Sequence, residues 1–191
     1  MSFENWNRII VIGSAGSGKS TLSQKLGNIL SLPVIHLDRF YWKPHWTPTP
    51  NDEWDDFLQS AVSQDRWVMD GNYTRTLGMR LHEADAVIFL DMPTLLCIYR
   101  VIKRRIIYHG KTRPDLNEEC PEKLDWAFFM WVWNYRKRSR PGVIKKLEQA
   151  KERKQVVILR SRKEVRHFLL AGRLIQITGP LNAKEFERTE T

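Results

Sequence analysis

The sequence predicts an α/β protein whose parallel sheet is covered by helices on both faces. Five short apolar runs recur along its 191 residues, each bounded by a glycine, a proline or a polar turn. Between most of them lie longer segments whose apolar residues return at helical spacing, the alternation that joins parallel strands through helical crossovers. Gly13, Asp38, Asp70 and Asp91 each follow or end such a run, so all four should lie on one sheet edge. Ligands of parallel sheets bind there, outside the carboxyl ends of the strands.

Arg8-Ile9-Ile10-Val11-Ile12 is the first strand, apolar throughout as a strand buried on both faces must be, and Gly13 ends it. Leu22, Leu26, Ile29 and Leu30 then mark a helix over 20–30. Pro33 to Leu37 is the second strand, and residues 38–50, rich in aromatics and prolines, read as an ordered loop. Thr49 reads as the cap of the next helix and Pro50 as its first residue. That helix should run to about Ser63 and bury Trp54, Phe57, Leu58 and Ala61. Arg66 to Asp70 is the third strand, stopped by Gly71-Asn72, and Ala86 to Asp91 the fourth, ended by Met92-Pro93. A helix over 94–109 and a polar stretch over 110–121 follow. Residues 122–152 are helical in composition, with Pro141-Gly142 as the break. Gln155 to Leu159 is the fifth strand, and a short helix over 164–171 ends at Gly172. The polar residues from about Pro180 read as loosely held.

Composition narrows the class. The chain is 42% apolar with eight Trp and eight Phe, which suits one globular domain over residues 1–191. No apolar run reaches the length of a membrane span, and the N-terminal residues lack the pattern of a secretory signal. Cys97 and Cys120 stand alone and far apart. That is neither a disulfide framework nor a metal site, and it suits a reducing cytoplasmic setting. The net charge of +9 is concentrated in three clusters, around Lys103 to Arg113, Arg136 to Lys146 and Lys151 to Lys163. Clusters of this kind attract polyanions, either nucleotide phosphates or nucleic acid.

Gly13-Ser14-Ala15-Gly16-Ser17-Gly18-Lys19-Ser20 fits G-x-x-x-x-G-K-[ST] at every fixed position, between an apolar strand and a helix. The glycines let the backbone curl so that successive N–H groups point at phosphate oxygens, and the helix that follows presents its positive end to the same anion. Lys19 is placed to reach the β- and γ-phosphates of ATP, with Thr21 just inside the helix. The Ser20 hydroxyl is placed to bind Mg²⁺.

Three carboxylates accompany this loop. Asp38 or Asp70 could accept the proton of a substrate hydroxyl, and one of the group could orient Mg²⁺. Asp70 is the best placed for the metal because Gly71 and Asn72 allow close backbone approach beside it; Asp91 precedes a proline and a helix and reads as a cap. Phe40, Tyr41, Trp42, Trp46 and Trp54 form either a stacking surface for a flat ligand or the local core beneath a lid. Trp126, Phe129, Met130, Trp133 and Tyr135 recur mostly at helical spacing and read as core. Arg100, Arg104 and Arg105 lie in or after the helix that follows strand four, and Arg136 and Arg140, four apart, share a helix face. Of these, Arg104, Arg136 and Arg140 are candidates to stabilise a phosphoryl group in transfer. Arg100 is assigned to the nucleotide.

With these residues assembled, the chain resembles the adenylate kinase-like branch of the P-loop kinases. Within that branch it looks most like the group called DNA topology modulation proteins. The resemblance rests on G-S-A-G-S-G-K-S at 13–20, H-L-D-R-F-Y-W at 36–42, W-V-M-D-G-N-Y at 67–73, A-V-I-F-L-D-M-P at 86–93 and the arginine-rich stretch over 100–140. It implies a three-layer P-loop NTPase fold, nucleoside-monophosphate-kinase-like, with a five-stranded parallel sheet. It also implies an acceptor-binding insertion over 38–65 and a helical lid over 100–140. Asp70-Gly71 takes the place of an Asp-Gly that organises metal and acceptor, and Arg160-Ser161-Arg162 the place where such kinases hold the adenine ring. Asn72-Tyr73 replaces the family's Phe-Pro-Arg, which offsets the expected arginine to Arg75 or Arg80 and counts against AMP as acceptor.

The function expected is that of an ATP- and Mg²⁺-dependent kinase acting on a nucleotide, nucleoside or small hydroxy compound, as a monomer or homodimer. The alternative is a nucleic-acid-associated ATPase or a nucleotide-switched DNA-binding protein, motivated by the basic clusters and set back by the lack of any DNA-reading motif.

Overall fold

The structure is a computed structural model that describes residues 3, 5–111, 115–117, 119–122 and 124–178. Arg113, from the first basic cluster, and the chain end beyond Pro180 lie outside the described residues. In chain order the elements are β1 (Arg8–Gly13), α1 (Lys19–Leu30), β2 (Val34–His36), α2 (Leu37–Tyr41), β3 (Trp42–Lys43), β4 (Thr47–Pro48), α3 (Asn51–Val62) and β5 (Trp67–Asp70). Then come α4 (Leu77–Glu83), β6 (Ala86–Leu90), α5 (Thr94–Ile107), α6 (Trp126–Arg138), α7 (Arg140–Ala150), β7 (Gln155–Leu159) and α8 (Arg162–Thr178).

Five strands form one parallel sheet in the order β2–β5–β1–β6–β7. Because side chains alternate along a strand, β1 feeds two cores. Ile9 and Val11 pack with Leu22, Leu26, Cys97, Val101 and Phe168 on one face. Ile10 and Ile12 pack with Trp54, Leu58, Tyr135, Val143 and Leu147 on the other. All four β1 side chains are buried, so truncating any of them to alanine would cost about 2–5 kcal/mol. The sheet is wound outward in both directions from β1, and such a reversal of strand order opens a crevice at the carboxyl edge. The loop after β1 lies at that crevice.

Several boundaries differ from the sequence reading. The 38–50 segment is not a plain loop: α2, a turn at Pro44–Trp46 and the antiparallel pair β3/β4 fill it. Thr49 does not cap α3; its hydroxyl donates to the carbonyls of Phe40 and Tyr41, and the helix starts at Asn51 after Pro50. The 122–152 segment divides at Ser139, just before Pro141, so Arg136 and Arg140 belong to different helices. Gly172 lies inside α8, where a β-carbon would touch Phe3 and Ile29, and so it marks a helix contact rather than an end. The largest departure is on α6, whose Trp126 and Trp133 are 74% and 51% exposed while Tyr135 is buried. Helical spacing located the stripe there but could not tell which of its members face the body. No helix among the described residues is long and apolar enough to cross a membrane.

Candidate functional site

A cleft of about 1370 Å³ opens at the carboxyl edge of the sheet. Its floor is the loop between β1 and α1. Gly13, Gly16 and Gly18 take φ values of +152°, +74° and +102°, which an L side chain rarely adopts. Space is short there as well: a β-carbon on Gly13 would lie 2.7 Å from the Leu90 carbonyl oxygen, and one on Gly16 would run into that of Cys97. The loop is therefore pressed against β6 and α5, and its backbone is committed to the turn that carries N–H groups toward the start of α1.

The Lys19 ammonium donates to the carbonyls of Gly13 and Ser14, at 3.1 and 3.2 Å. Burial lowers its pKa, while the charges of Asp38 and Asp70 act to raise it. Arg100 donates to the carbonyls of Gly16 and Ser17, at 3.2 and 2.9 Å, fixing α5 to the loop. The Ser14 and Ser17 hydroxyls are buried without a partner among the described residues. The Ser20 hydroxyl is 2.9 Å from an oxygen of Asp115, which comes from the polar stretch after α5. Ala15, Thr21 and Ser20 all line the cleft.

The wall facing this loop starts at the end of β2. Asp38 lines the cleft and accepts a 2.7 Å hydrogen bond from the Tyr73 hydroxyl. Burial, and then the Asp38 charge, push the Tyr73 phenol far above its usual range, so it stays a donor. Arg39, Trp42 and Trp46 line the same wall. Trp46 donates from Nε1 to the Pro121 carbonyl at 3.0 Å, and the His45 amide to the Glu119 carbonyl at 3.1 Å. These bonds tie the β3/β4 hairpin to the segment that follows α5. Tyr41, Tyr73 and Trp54 pack ring to ring behind the wall. The aromatic set thus divides: Trp42 and Trp46 face the cleft, and Tyr41 and Trp54 are local core.

The sequence reading missed the link between the two walls. Arg80 is fully buried and has no carboxylate partner among the described residues. Its guanidinium donates to the carbonyls of Gly71, Asn72 and Tyr73 at 2.9, 2.6 and 3.1 Å, and burial pulls its pKa down to about 10. The loop held in this way sends the Asn72 side-chain oxygen to the Gly13 amide, at 3.0 Å, and the Tyr73 hydroxyl to Asp38. Asn72 and Tyr73 stood out in the sequence only as departures from a family pattern. Arg80 had been a candidate for an acceptor, and the structure uses it inside the fold; Arg75 is likewise committed, to Asp55 in a two-pronged pair at 2.7 and 2.8 Å.

Other expected residues lie elsewhere. Asp70, at the end of β5, is buried and does not line the cleft; it is screened by His36, whose Nδ1 is 2.8 Å from its carboxylate and which does line it. Asp91 is not a helix cap. It forms a two-pronged pair with Arg140, both bonds 2.8 Å, which holds its carboxyl below the usual range. Arg160 approaches the same carboxylate at 3.9 Å, and the charge of Arg136 acts on it too. Arg136, Arg140 and Arg160 therefore gather about Asp91 instead of lining the cleft. Of the candidate arginines, Arg100, Arg104 and Arg162 do line it, with Arg104 paired to the buried Glu122 at 2.9 Å. The pairs on Arg104 and Arg140 also take charge out of the basic surface that the clusters suggested.

No protein-family model matches the chain, and no curated protein matches it by sequence. Solved structures do. A shikimate kinase from Acinetobacter baumannii, in complex with shikimate, superposes with a TM-score of 0.56 at 15% identity, over 94% of this chain and 97% of that one. A shikimate kinase from Bacteroides thetaiotaomicron gives 0.50 at 16% identity, over 90% and 97%. The fold, an α/β five-stranded parallel sheet with helices on both faces, is that of these P-loop kinases.

Proposed function

We propose that the chain is a small-molecule kinase that moves the γ-phosphoryl group of ATP to the hydroxyl of a small acceptor. One observation carries the reading: residues 15–20 of the glycine loop, Lys19 among them, and Asp38 line a single cleft, close enough for the Asp38 charge to act on Lys19. A donor phosphate on the loop and an acceptor hydroxyl at Asp38 would share one space, and holding two reactants in this way removes a large part of the barrier to their reaction.

The roles follow from the atoms. The loop amides would hold the nucleotide phosphates, and the two buried, unpartnered hydroxyls of Ser14 and Ser17 are polar groups suited to an anion at this spot. Lys19 would leave its carbonyl partners and carry positive charge to the oxygens of the group in transfer. Asp38 would accept the hydroxyl proton, held in place by the Tyr73 donor. The Ser20 hydroxyl fits Mg²⁺; Asp70, whose charge acts on Lys19 from beneath His36, would support the metal from outside the cleft lining. When bound there, Mg²⁺ would neutralise phosphate charge. Arg100, Arg104 and Arg162 stand where cations would face the nucleotide. Arg75 and Arg80 are both engaged within the fold, which favours a hydroxyl acceptor over the phosphate of AMP.

The test is to incubate the protein with labelled ATP, Mg²⁺ and a panel of nucleotides, nucleosides and small hydroxy compounds. Transfer of label to an acceptor, lost in Asp38→Asn with nucleotide affinity kept, is the result expected. ATP turnover that no acceptor raises above background would count against the reading.

A further inference from the structure

We infer that the acceptor is a small hydroxy-bearing anion, a carboxylate or a phosphate monoester, gripped by Arg39 and laid against Trp42 and Trp46. The inference rests on the kinase reading above and concerns its acceptor side.

Among the arginines around this site, most already have a task inside the protein. Arg100 holds loop carbonyls, Arg104 is paired with Glu122, Arg80 holds three carbonyls, Arg75 is paired with Asp55 and Arg140 with Asp91. Arg39 and Arg162 differ: both line the cleft, both are exposed, and neither has a hydrogen bond or ion pair among the described residues. Arg162 opens α8 after the last strand, whereas Arg39 stands next to Asp38 in α2. Its neighbour in sequence, Asp38, takes the Tyr73 hydroxyl instead. The wall therefore presents a carboxylate and a guanidinium from adjacent residues of α2, neither neutralised by the other. A carboxylate there suits a hydroxyl, and an unpaired guanidinium fork suits the oxygens of a carboxylate or phosphate.

Two further features narrow the class. Trp42 and Trp46 sit edge to face, their ring centroids 5.5 Å apart, and both border the cleft beside Arg39. They offer a flat or apolar face of the acceptor a surface to cover, and with Arg39 they add a cation and apolar surface to the same cleft lining. The rigidity of the wall supports this. Trp46 is held by the Pro121 carbonyl, and the β3/β4 pair holds Trp42.

The step balances without any further reactant. The acceptor hydroxyl oxygen forms a bond to the γ-phosphorus of ATP, the bond from that phosphorus to the β,γ-bridging oxygen breaks, ADP leaves with the electron pair, and the hydroxyl proton passes to Asp38. Arg39 stays on the anionic group throughout and takes no part in the transfer.

Binding of four probes to the full chain, with its phosphate loop first filled by a non-hydrolysable ATP analogue and Mg²⁺, tests this. The carboxylate arm compares 3-hydroxybenzoate with neutral 3-hydroxybenzamide, and the phosphate arm compares resorcinol monophosphate with resorcinol. At least one anion should bind ten-fold or more tightly than its neutral partner, and the arm that does so identifies the anion. Arg39→Ala should remove that preference, Arg39→Lys should keep part of it, and the affinity for the ATP analogue should not change. Equal binding of anion and neutral partner, binding by neither anion at millimolar concentration, or a preference that survives in Arg39→Ala would each overturn the inference. Labelled-ATP assays separate it from the broader reading. Neutral polyols phosphorylated as well as hydroxy acids would overturn the anion site and leave the kinase standing. Arg39-dependent anion binding with no transfer to any acceptor would leave the anion site standing and remove the kinase.

Discussion

On the floor of the cleft, the groups available to a ligand are backbone amides, one ammonium and the hydroxyls of Ser14, Ser17 and Ser20, set by three glycines in the left-handed region of φ. On the wall opposite, they are side chains: Asp38, Arg39, Trp42 and Trp46. The floor is a local pattern of eight residues, braced from outside at a few backbone atoms by Arg100 and Asn72. The wall depends on parts distant in sequence, since Asp38 is held by Tyr73, Trp46 by Pro121 and Tyr41 by Trp54. A floor built from backbone suits a ligand group that is always the same, a chain of phosphates. A wall built from side chains can differ from one protein to another and so can set the choice of acceptor.

The sharpest way to break this contrast is to remove the one charged side chain of the floor. Lys19→Ala should lower phosphoryl transfer by roughly 10²–10³-fold, the usual effect of losing one preorganised charge at a transition state. It should leave the melting temperature nearly unchanged, because among the described residues the Lys19 ammonium bonds only to two loop carbonyls. Turnover and thermal melting of the same preparation check both parts. A loss below about ten-fold would mean that the floor works through its backbone alone.

Arg80 ties floor to wall, and its removal should disturb both. Arg80→Met would leave the carbonyls of Gly71, Asn72 and Tyr73 without their donor, at roughly 1–3 kcal/mol for an unsatisfied buried group. A net destabilisation of about 3 kcal/mol corresponds to a fall of about 6–12 °C in melting temperature for a chain of this length. Affinity for a fluorescent ATP analogue should also fall, because Asn72 would no longer be held against the Gly13 amide. A variant that melts lower but binds the analogue as tightly as wild type would restrict Arg80 to a structural part.

The legibility of the chain follows the same division. The five sheet strands could be read from apolar runs within a residue or two, and the floor could be read from its spacing, because both are local in sequence. What could not be read depends on contacts made at long range. α4 carries no clear boundary signal, and only its packing shows why Leu77 and Leu81 are apolar. Thr49 looks like a cap until Phe40 and Tyr41 offer their carbonyls. Asp91 looks like a cap until Arg140, 49 positions on, reaches it. Helical spacing alone could not show that Trp126 faces outward while Tyr135 faces in. The candidate site divides likewise: that the loop and Asp38 share one sheet edge was legible, while the screening of Asp70 by His36 and the bonds of Arg80 needed the fold.

Tyr73→Phe tests the wall alone. It removes the donor to Asp38 while keeping the ring against Tyr41 and Trp54. A hydrogen bond to a charged group is worth about 1.5–3 kcal/mol, so turnover should fall by roughly 10- to 150-fold. Affinity for the ATP analogue should stay as it was. Weakened nucleotide binding would show that floor and wall are not separable at this residue.

The smallest effect is expected at the pair behind the wall, and it appears as a dependence on pH. The hydrogen bond to Asp70 raises the pKa of His36 above its usual value, ahead of a lowering by burial. The folded state therefore holds the His36 proton more tightly than the unfolded chain does. The stabilisation from this pair is fully present below the unfolded pKa of about 6.5 and is lost as pH rises through the higher folded value. His36→Gln keeps an amide donor within reach of Asp70 but does not titrate. Urea unfolding of both proteins, without nucleotide or metal, should show wild type favoured by about 1 kcal/mol more at pH 6 than at pH 9, the size of one hydrogen bond. A difference between the two proteins that stays constant across this range would mean that Asp70 accepts from a neutral ring at every pH, and that the contact adds rigidity to the wall without a proton linked to it.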